Sequence, residues 1–222
     1  MKPNFEAIRS SSSTSNGSDY ILNSGLYDIK IRQAYIKRKE GTEGKTLVLR
    51  VIKSGCTSLA ESVLFIRLNN NNGKENFEKV LLDKLLVVCG IDEVKRLVPT
   101  KFSYNNKEFF EDCIPELKDK ELVIQVKREF SRFNGKISDN LRVLNFFRKA
   151  DKATAIEIIE NKDFGAKFNS LDKSYVEATS YRDGVTKAEA DAYIKAQQQA
   201  RSGNFSSESN VSGSDDGDSI PF

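Results

Sequence analysis

The 222-residue chain contains no histidine, no tryptophan and only three cysteines. Without histidine, the Ser-His-Asp and Cys-His arrangements of nucleophilic catalysis are excluded. Cys56, Cys89 and Cys113 are odd in number and widely spaced, with no Cys-x-x-Cys pair. That pattern disfavours a disulfide framework and a zinc site, and it fits a reducing compartment. The thiols read as small core residues, Cys89 inside an apolar run. No Gly-x-x-x-x-Gly-Lys-Ser/Thr loop is present to cradle a nucleotide phosphate. The acid pairs Glu111-Asp112 and Asp215-Asp216 read as solvated, mutually repelling carboxylates rather than as a Mg²⁺ site. The expectation is a protein that is not an enzyme and needs no cofactor or metal.

Long apolar runs are also missing. Leu85 to Cys89 is the longest, far short of the roughly 20 residues that span a bilayer, so no membrane partner is expected. Met1 to Ser18 is polar and Ser-rich without the apolar stretch of a signal peptide, which points to the cytoplasm. Finally, Lys and Arg are absent after Arg201, where Glu208, Asp215, Asp216 and Asp218 lie. The formal net charge of +3 therefore conceals a body of about +7 and an acidic tail. This asymmetry suits a polyanion binder with a mobile competitor for its own groove. On composition alone, an ordinary solvated surface with a solubilising tail is equally open.

A chain of this length, 38% hydrophobic, buries one core of roughly 100 to 150 residues with extensions left over. Residues 1–18 read as a flexible arm, whose head carries Phe5, Ala7 and Ile8 ahead of a Ser-rich linker. Residues 19–150 read as the folded domain, 151–201 as a helical extension and 202–222 as a disordered acidic tail.

Within the domain, alternation predicts a strand over Leu26 to Lys39, with Tyr27, Ile29, Ile31, Gln33 and Tyr35 on one face. Lys30, Arg32, Ala34, Ile36 and Arg38 fall on the other. Thr46 to Lys53 predicts a second strand, with Leu47, Leu49 and Val51 inward. Ser62 to Leu68 predicts a third, with Leu64, Ile66 and Leu68 on one side and Val63, Phe65 and Arg67 on the other. Phe77, Leu81, Leu85 and Val88 recur at helical spacing before a Gly90 stop, and Ile91 to Val98 reads as a short second helix. Lys101 to Phe110 reads as a loop about Asn105-Asn106, its rings open to either core packing or base stacking. Strands resume over Glu121 to Phe130 and Lys136 to Phe147, joined by an Asn134-Gly135 hairpin turn. Three strands, a helix and two strands is the order of the OB-fold, a five-stranded antiparallel Greek-key β-barrel. The expected fold class is therefore mainly β, with a helical insertion between strands three and four. In the extension, Ala153 to Glu160 reads as helical and Asp163 to Ser174 as irregular. Thr186 to Arg201 reads as a weakly anchored helix opened by a Thr186/Glu189 capping box, with an Ala188, Ala192, Ala196, Ala200 stripe.

A barrel that binds single strands needs cations for phosphates and flat rings for bases on one surface. The cations proposed for that work are Lys30, Arg32, Lys37, Arg38, Arg50, Arg67, Arg128, Arg132, Lys136 and Arg142. The rings are Tyr35, Phe65, Phe130 and Phe133. Other strand rings, such as Tyr27, Phe146 and Phe147, read first as barrel core. Phe130 and Phe133 stand out because Lys-Arg-Glu-Phe-Ser-Arg-Phe-Asn-Gly-Lys puts both near a hairpin tip with little core to fill.

The last eight residues, Asp-Asp-Gly-Asp-Ser-Ile-Pro-Phe, set carboxylates ahead of two apolar anchors and a terminal carboxylate. In such a segment Pro limits the backbone entropy lost on docking into a partner's pocket. This tip, joined to the strand order above, resembles the single-stranded DNA-binding proteins of the bacteriophage type. The resemblance implies sequence-independent binding and protection of single-stranded DNA in replication, recombination or repair, in a bacterial host's cytoplasm. It also implies recruitment of replication and recombination proteins through Asp215, Asp216, Asp218, Ile220, Pro221 and Phe222; self-association along DNA is left open as a further partner, since the family's assembly does not carry over to this chain. The absence of Trp departs from the bacterial proteins of that name, so stacking rings have to be sought in this chain. A protein-binding adaptor of OB type and an RNA-binding OB protein are the alternatives.

Overall fold

A computed structural model describes residues 19–55, 60–104 and 107–203. The N-terminal arm, Cys56, the Asn105-Asn106 turn and the acidic tail with its tip lie outside the described residues. Among the described residues the architecture is mainly β: eight antiparallel strands in an open sheet, with a few helices.

The strand that organises the sheet is β1 (Gly25–Arg38). One edge of β1 pairs with β2 (Lys45–Lys53), which in turn pairs with β3 (Ser62–Asn69). β4 (Val98–Tyr104) and β5 (Lys107–Cys113) form a hairpin. The other edge of β1 is shared between β6 (Glu121–Phe133), over Gly25 to Lys30, and β5, over Tyr35 and Ile36. β6 also pairs with β7 (Lys136–Arg148) and with the two-residue β8 (Ser180–Tyr181). Among the described residues no pairing joins β3 to β7, so the sheet stays open where a barrel would close.

β1 does not keep one alternation along its length. The register steps between Ile31↔Val51 and Gln33↔Arg50, leaving Arg32 as an extra residue. Such a bulge reverses which side chains face the core. Ile29 and Ile31 are buried before it and Ala34 after it, while Ile36 packs against the same core. Gln33, Tyr35 and Lys37 are thereby turned to the opposite face. This corrects the sequence expectation, in which unbroken alternation kept Tyr35 with Ile31 and Ala34 with Lys30.

Beneath the sheet, Leu47, Leu49 and Val51 of β2 and Leu64 and Ile66 of β3 are fully buried with Leu122, Ile124 and Val126 of β6. Helix α1 (Val80–Val88) adds Leu81, Leu85 and Val88 to the same cluster. Each such side chain contributes roughly 1.5–3 kcal/mol of burial. Gly90, at φ +65°, ends the helix in a conformation that favours glycine. Phe77, expected on the core face of this helix, instead belongs to a preceding 3-10 turn (Phe77–Lys79) and is exposed.

Ile91 to Val98 is not a second helix; the segment has no regular structure before β4 begins. Only Ile91 is buried and Val94 partly so, which leaves no apolar face to stabilise a short helix. The expected loop at Lys101 to Phe110 is the β4–β5 hairpin, in register as Lys101↔Phe110 and Phe102↔Phe109.

After β7 come three short helices: α2 (Ala155–Glu160), α3 (Ala166–Asn169) and α4 (Lys173–Glu177). The Glu157 carboxylate organises the turn between the first two by accepting N–H bonds from Thr154 (2.7 Å), Gly165 (3.3 Å) and Lys167 (2.8 Å). Partial burial raises its pKa, but these bonds outweigh it and hold Glu157 below the ordinary value. The last helix is α5 (Lys187–Gly203). No helix among the described residues is long and apolar enough to cross a membrane.

The chain divides into two compact units. The first falls within Met1–Glu129 and Asp139–Ser180, the second within Phe130–Ser138 and Tyr181–Phe222. In the second, Phe130 packs with Val185 and Ala190, joined by Ile137, Tyr193 and Ile194. The capping box forms as expected, with the Thr186 N–H donating to Glu189 Oε2 (2.8 Å) and the Glu189 N–H to Thr186 Oγ1 (3.3 Å). The alanine stripe does not anchor this helix: Ala188, Ala192 and Ala196 are exposed. Its packing face is the one carrying Ala190, Tyr193 and Ile194.

Candidate nucleic-acid interface

On the face of β1, β2 and β3 away from the core, the registers line up three rows. Tyr35, half-buried, stands beside Val48, which is buried, and Val48 beside Phe65. On one side of that row lie Gln33, Arg50 and Val63; on the other lie Lys37, Thr46 and Arg67. Phe65 is 56% exposed and Arg67 is exposed, as period-2 alternation on β3 requires. The row exists only because the bulge at Arg32 delivers Tyr35 to this side.

The β4–β5 hairpin extends the rings. Tyr35 and Phe102 have centroids 4.9 Å apart, and Phe102 stacks on Phe109 at 5.5 Å with planes within 9°. Phe110, on the other side of the hairpin, is largely exposed. Cys113 is buried in β5 with Gln33 Nε2 at 3.7 Å from its Sγ. Cys89 is partly buried, and burial pushes its thiol up to about 11, so it is inert at neutral pH.

The charges on and around this face are partly compensated. Arg50 pairs with Glu61 at 2.5 Å, Arg38 with Asp112 at 2.8 Å and Lys30 with Asp119 at 3.0 Å. Arg32 and Arg67 make no ion pair among the described residues. Burial raises the Tyr35 pKa, opposed by the positive charge of Arg50. Burial likewise raises Glu111, opposed by Lys37. Glu111 pairs with Thr100 and alternates with Cys113 and Phe109, so it brings a carboxylate to the side of the hairpin that carries the rings.

Further proposed residues fall elsewhere. Arg142 pairs with Glu78 at 3.3 Å and its guanidinium lies over the Phe77 ring at 5.2 Å. Arg128 is 15% exposed; it makes two bonds to Asp139 (3.0 and 2.6 Å) and a third to Asn23 (3.2 Å). So held, Arg128 ties β6 to β7 and to the segment before β1. In the second unit, Arg132 pairs with Glu189 at 2.5 Å, and Phe133 and Lys136 are exposed at the hairpin end. Phe130 is a correction: it is 1% exposed, with Tyr181 stacked on it at 6.1 Å and Tyr193 edge-on at 6.3 Å. The hairpin end has a core because the chain from Tyr181 onward returns to supply one.

Phe102 and Phe109 were missed as a pair. Their signal was the alternation on both sides of Asn105-Asn106, obscured by the polar residues between them. Among the described residues no cluster of Cys, Asp and Glu side chains is placed to hold a metal ion. The six tip residues proposed for partner binding, Asp215 to Phe222, are outside the described residues. Comparison with protein-family models and with curated proteins gives no match for this chain.

Proposed function

We propose that the face of β1, β2 and β3, with the rings of the β4–β5 hairpin, holds a single nucleic-acid strand without regard to sequence, and that the strand is DNA. The observation that carries this reading is the registered row of Tyr35, Val48 and Phe65 between Arg50 and Lys37/Arg67. Cations to either side of it release counterions from phosphates, and the logarithm of affinity should fall with log salt by about 0.7 per phosphate neutralised. Flat rings stack on bases at roughly 1–3 kcal/mol each with little sequence preference. The strand order and the open seam support an OB-type arrangement of β1, β2, β3, β6 and β7 around this face. Function in replication, recombination or repair then follows from holding the strand unpaired. The acidic tip through Phe222 is the handle by which replication and recombination proteins would be recruited.

A second reading, a protein-binding adaptor, draws on a specific observation: Arg50, Arg38 and Lys30 already carry carboxylate partners, and Glu111 adds negative charge beside the rings. Fluorescence anisotropy on oligo-dT, oligo-U and duplex DNA over a salt series separates the readings. Preference for oligo-dT with a linear salt dependence supports the strand-binding proposal. Weak binding with no preference for the single strand would sink it in favour of the adaptor.

A further inference from the structure

We infer that Phe77 is a nucleobase-stacking platform, which extends the strand-binding site beyond the edge of β3; the inference rests on the strand-binding reading above. Phe77 is 72% exposed, and no residue of its 3-10 turn is buried. A phenyl group left in water forgoes roughly 1.5–3 kcal/mol of burial. Yet the turn that carries this ring is tied down on both sides.

The turn is capped by Asn76, whose Oδ1 accepts the Glu78 N–H at 3.0 Å and whose side-chain amide donates to Asn70 Oδ1 at 2.8 Å. The Glu78 carboxylate does two things at once. One oxygen accepts the backbone N–H of Arg67 on β3 at 3.0 Å, which ties the turn to the strand bearing Phe65. The other lies 3.3 Å from Arg142 Nε. That contact steers the Arg142 guanidinium over the Phe77 ring, 5.2 Å from its centroid. Glu78 is itself only 19% exposed at its side chain, so the steering group is screened from water while the ring it serves is not.

The turn that carries the ring is thus held by the Asn76 and Glu78 bonds, and the ring itself is largely exposed with the Arg142 cation over it. A ring of this kind loses little freedom when a base stacks on it, and the guanidinium adds a positive charge to the site. Its turn adjoins the proposed strand-binding face: Phe65 and Arg67 point outward from β3, and Glu78 accepts the Arg67 N–H.

Because the chain has no tryptophan, Phe77→Trp installs a single tryptophan, excited apart from the seven tyrosines, at the site. Titrating it with oligo-dT, while following both tryptophan emission and the anisotropy of the labelled oligonucleotide, tests contact directly. Emission should be quenched in parallel with the anisotropy rise. In the same titration Phe77→Ala and Phe77→Leu should both weaken binding about 5- to 150-fold, the equivalent of one stacked base, with unchanged melting temperature. Unquenched emission, or wild-type affinity in Phe77→Ala while Phe65→Ala is impaired, overturns the inference and leaves the strand-binding face standing. Wild-type affinity in Phe77→Leu alone reduces Phe77 to apolar bulk and also overturns it. If the wild type shows no single-strand binding, the strand-binding reading fails and takes this inference with it.

Discussion

The face built on β1, β2 and β3 and the hairpin end of β6 and β7 both carry arginines interleaved with rings, but they use them differently. On the three-stranded face, Phe65 is turned to solvent with Tyr35 in its row, while the core lies behind the opposite side of the same strands. At the hairpin end, Phe130 is itself the core, roofed by Tyr181 and Tyr193; Arg132 is tied to Glu189 just as Arg50 on the first face is tied to Glu61. A bare hairpin has no interior, so its rings stay available unless another part of the chain comes back to cover them. Here residues 181–194 do so.

The largest effect expected from breaking that contrast is at Phe130. Truncation to alanine removes the centre of the small cluster and should cost about 3–5 kcal/mol of local stability. Hydrogen exchange should show lost protection along α5 in Phe130→Ala, while oligo-dT affinity stays within about twofold. A variant that keeps its protection but loses affinity would move the binding site to the hairpin.

Next in size is Tyr35. Replacing it with leucine keeps apolar volume but removes the plane, and should lower single-strand affinity by roughly 1–3 kcal/mol in an anisotropy titration. A smaller effect of opposite sign is expected at Glu111. Its carboxyl group is raised by burial, so it protonates before an ordinary carboxylate as pH falls, and the ring-bearing side of the hairpin loses a negative charge. Affinity should therefore rise as pH drops from neutrality toward that raised value. Glu111→Gln should bind more tightly at neutral pH and lose the dependence.

The smallest effect concerns Glu189, which the Thr186 N–H and hydroxyl and the Arg132 guanidinium hold below the usual carboxylate value. A lowered carboxyl stabilises the fold fully above its ordinary value of 4.5, and that contribution fades as pH falls through the lowered native value. Melting of α5 followed by circular dichroism should thus become easier below about pH 4.5, and Glu189→Gln should flatten the acid limb.

Much of the frame was legible because the strands obey period 2 and the first helix period 3.6. The limits of β1, β2 and β3, the inward set Leu47, Leu49 and Val51, and the shared side of Leu64 and Ile66 follow from alternation alone. What alternation cannot show is an inserted residue. The bulge at Arg32 is invisible in a strand where both neighbours remain alternating, yet it decides the face of Tyr35. Phe77 was misplaced because it sits at helical spacing from Leu81, although the helix proper starts later, at Val80. Phe130 was misplaced because its cover comes from more than 50 residues downstream, a contact that no local pattern announces. The three-stranded face was legible as chemistry and became a candidate site only through register.

Phe65 and Phe133 are the exposed rings of the two regions, at 56% and 76%, and neither supports a core. Measuring Phe65→Ala and Phe133→Ala side by side against oligo-dT, at matched salt, tests the central claim with the least interference from folding. The account predicts a loss of about 1–3 kcal/mol for Phe65→Ala and a change within about twofold for Phe133→Ala. Wild-type affinity in Phe65→Ala with a large loss in Phe133→Ala would contradict it.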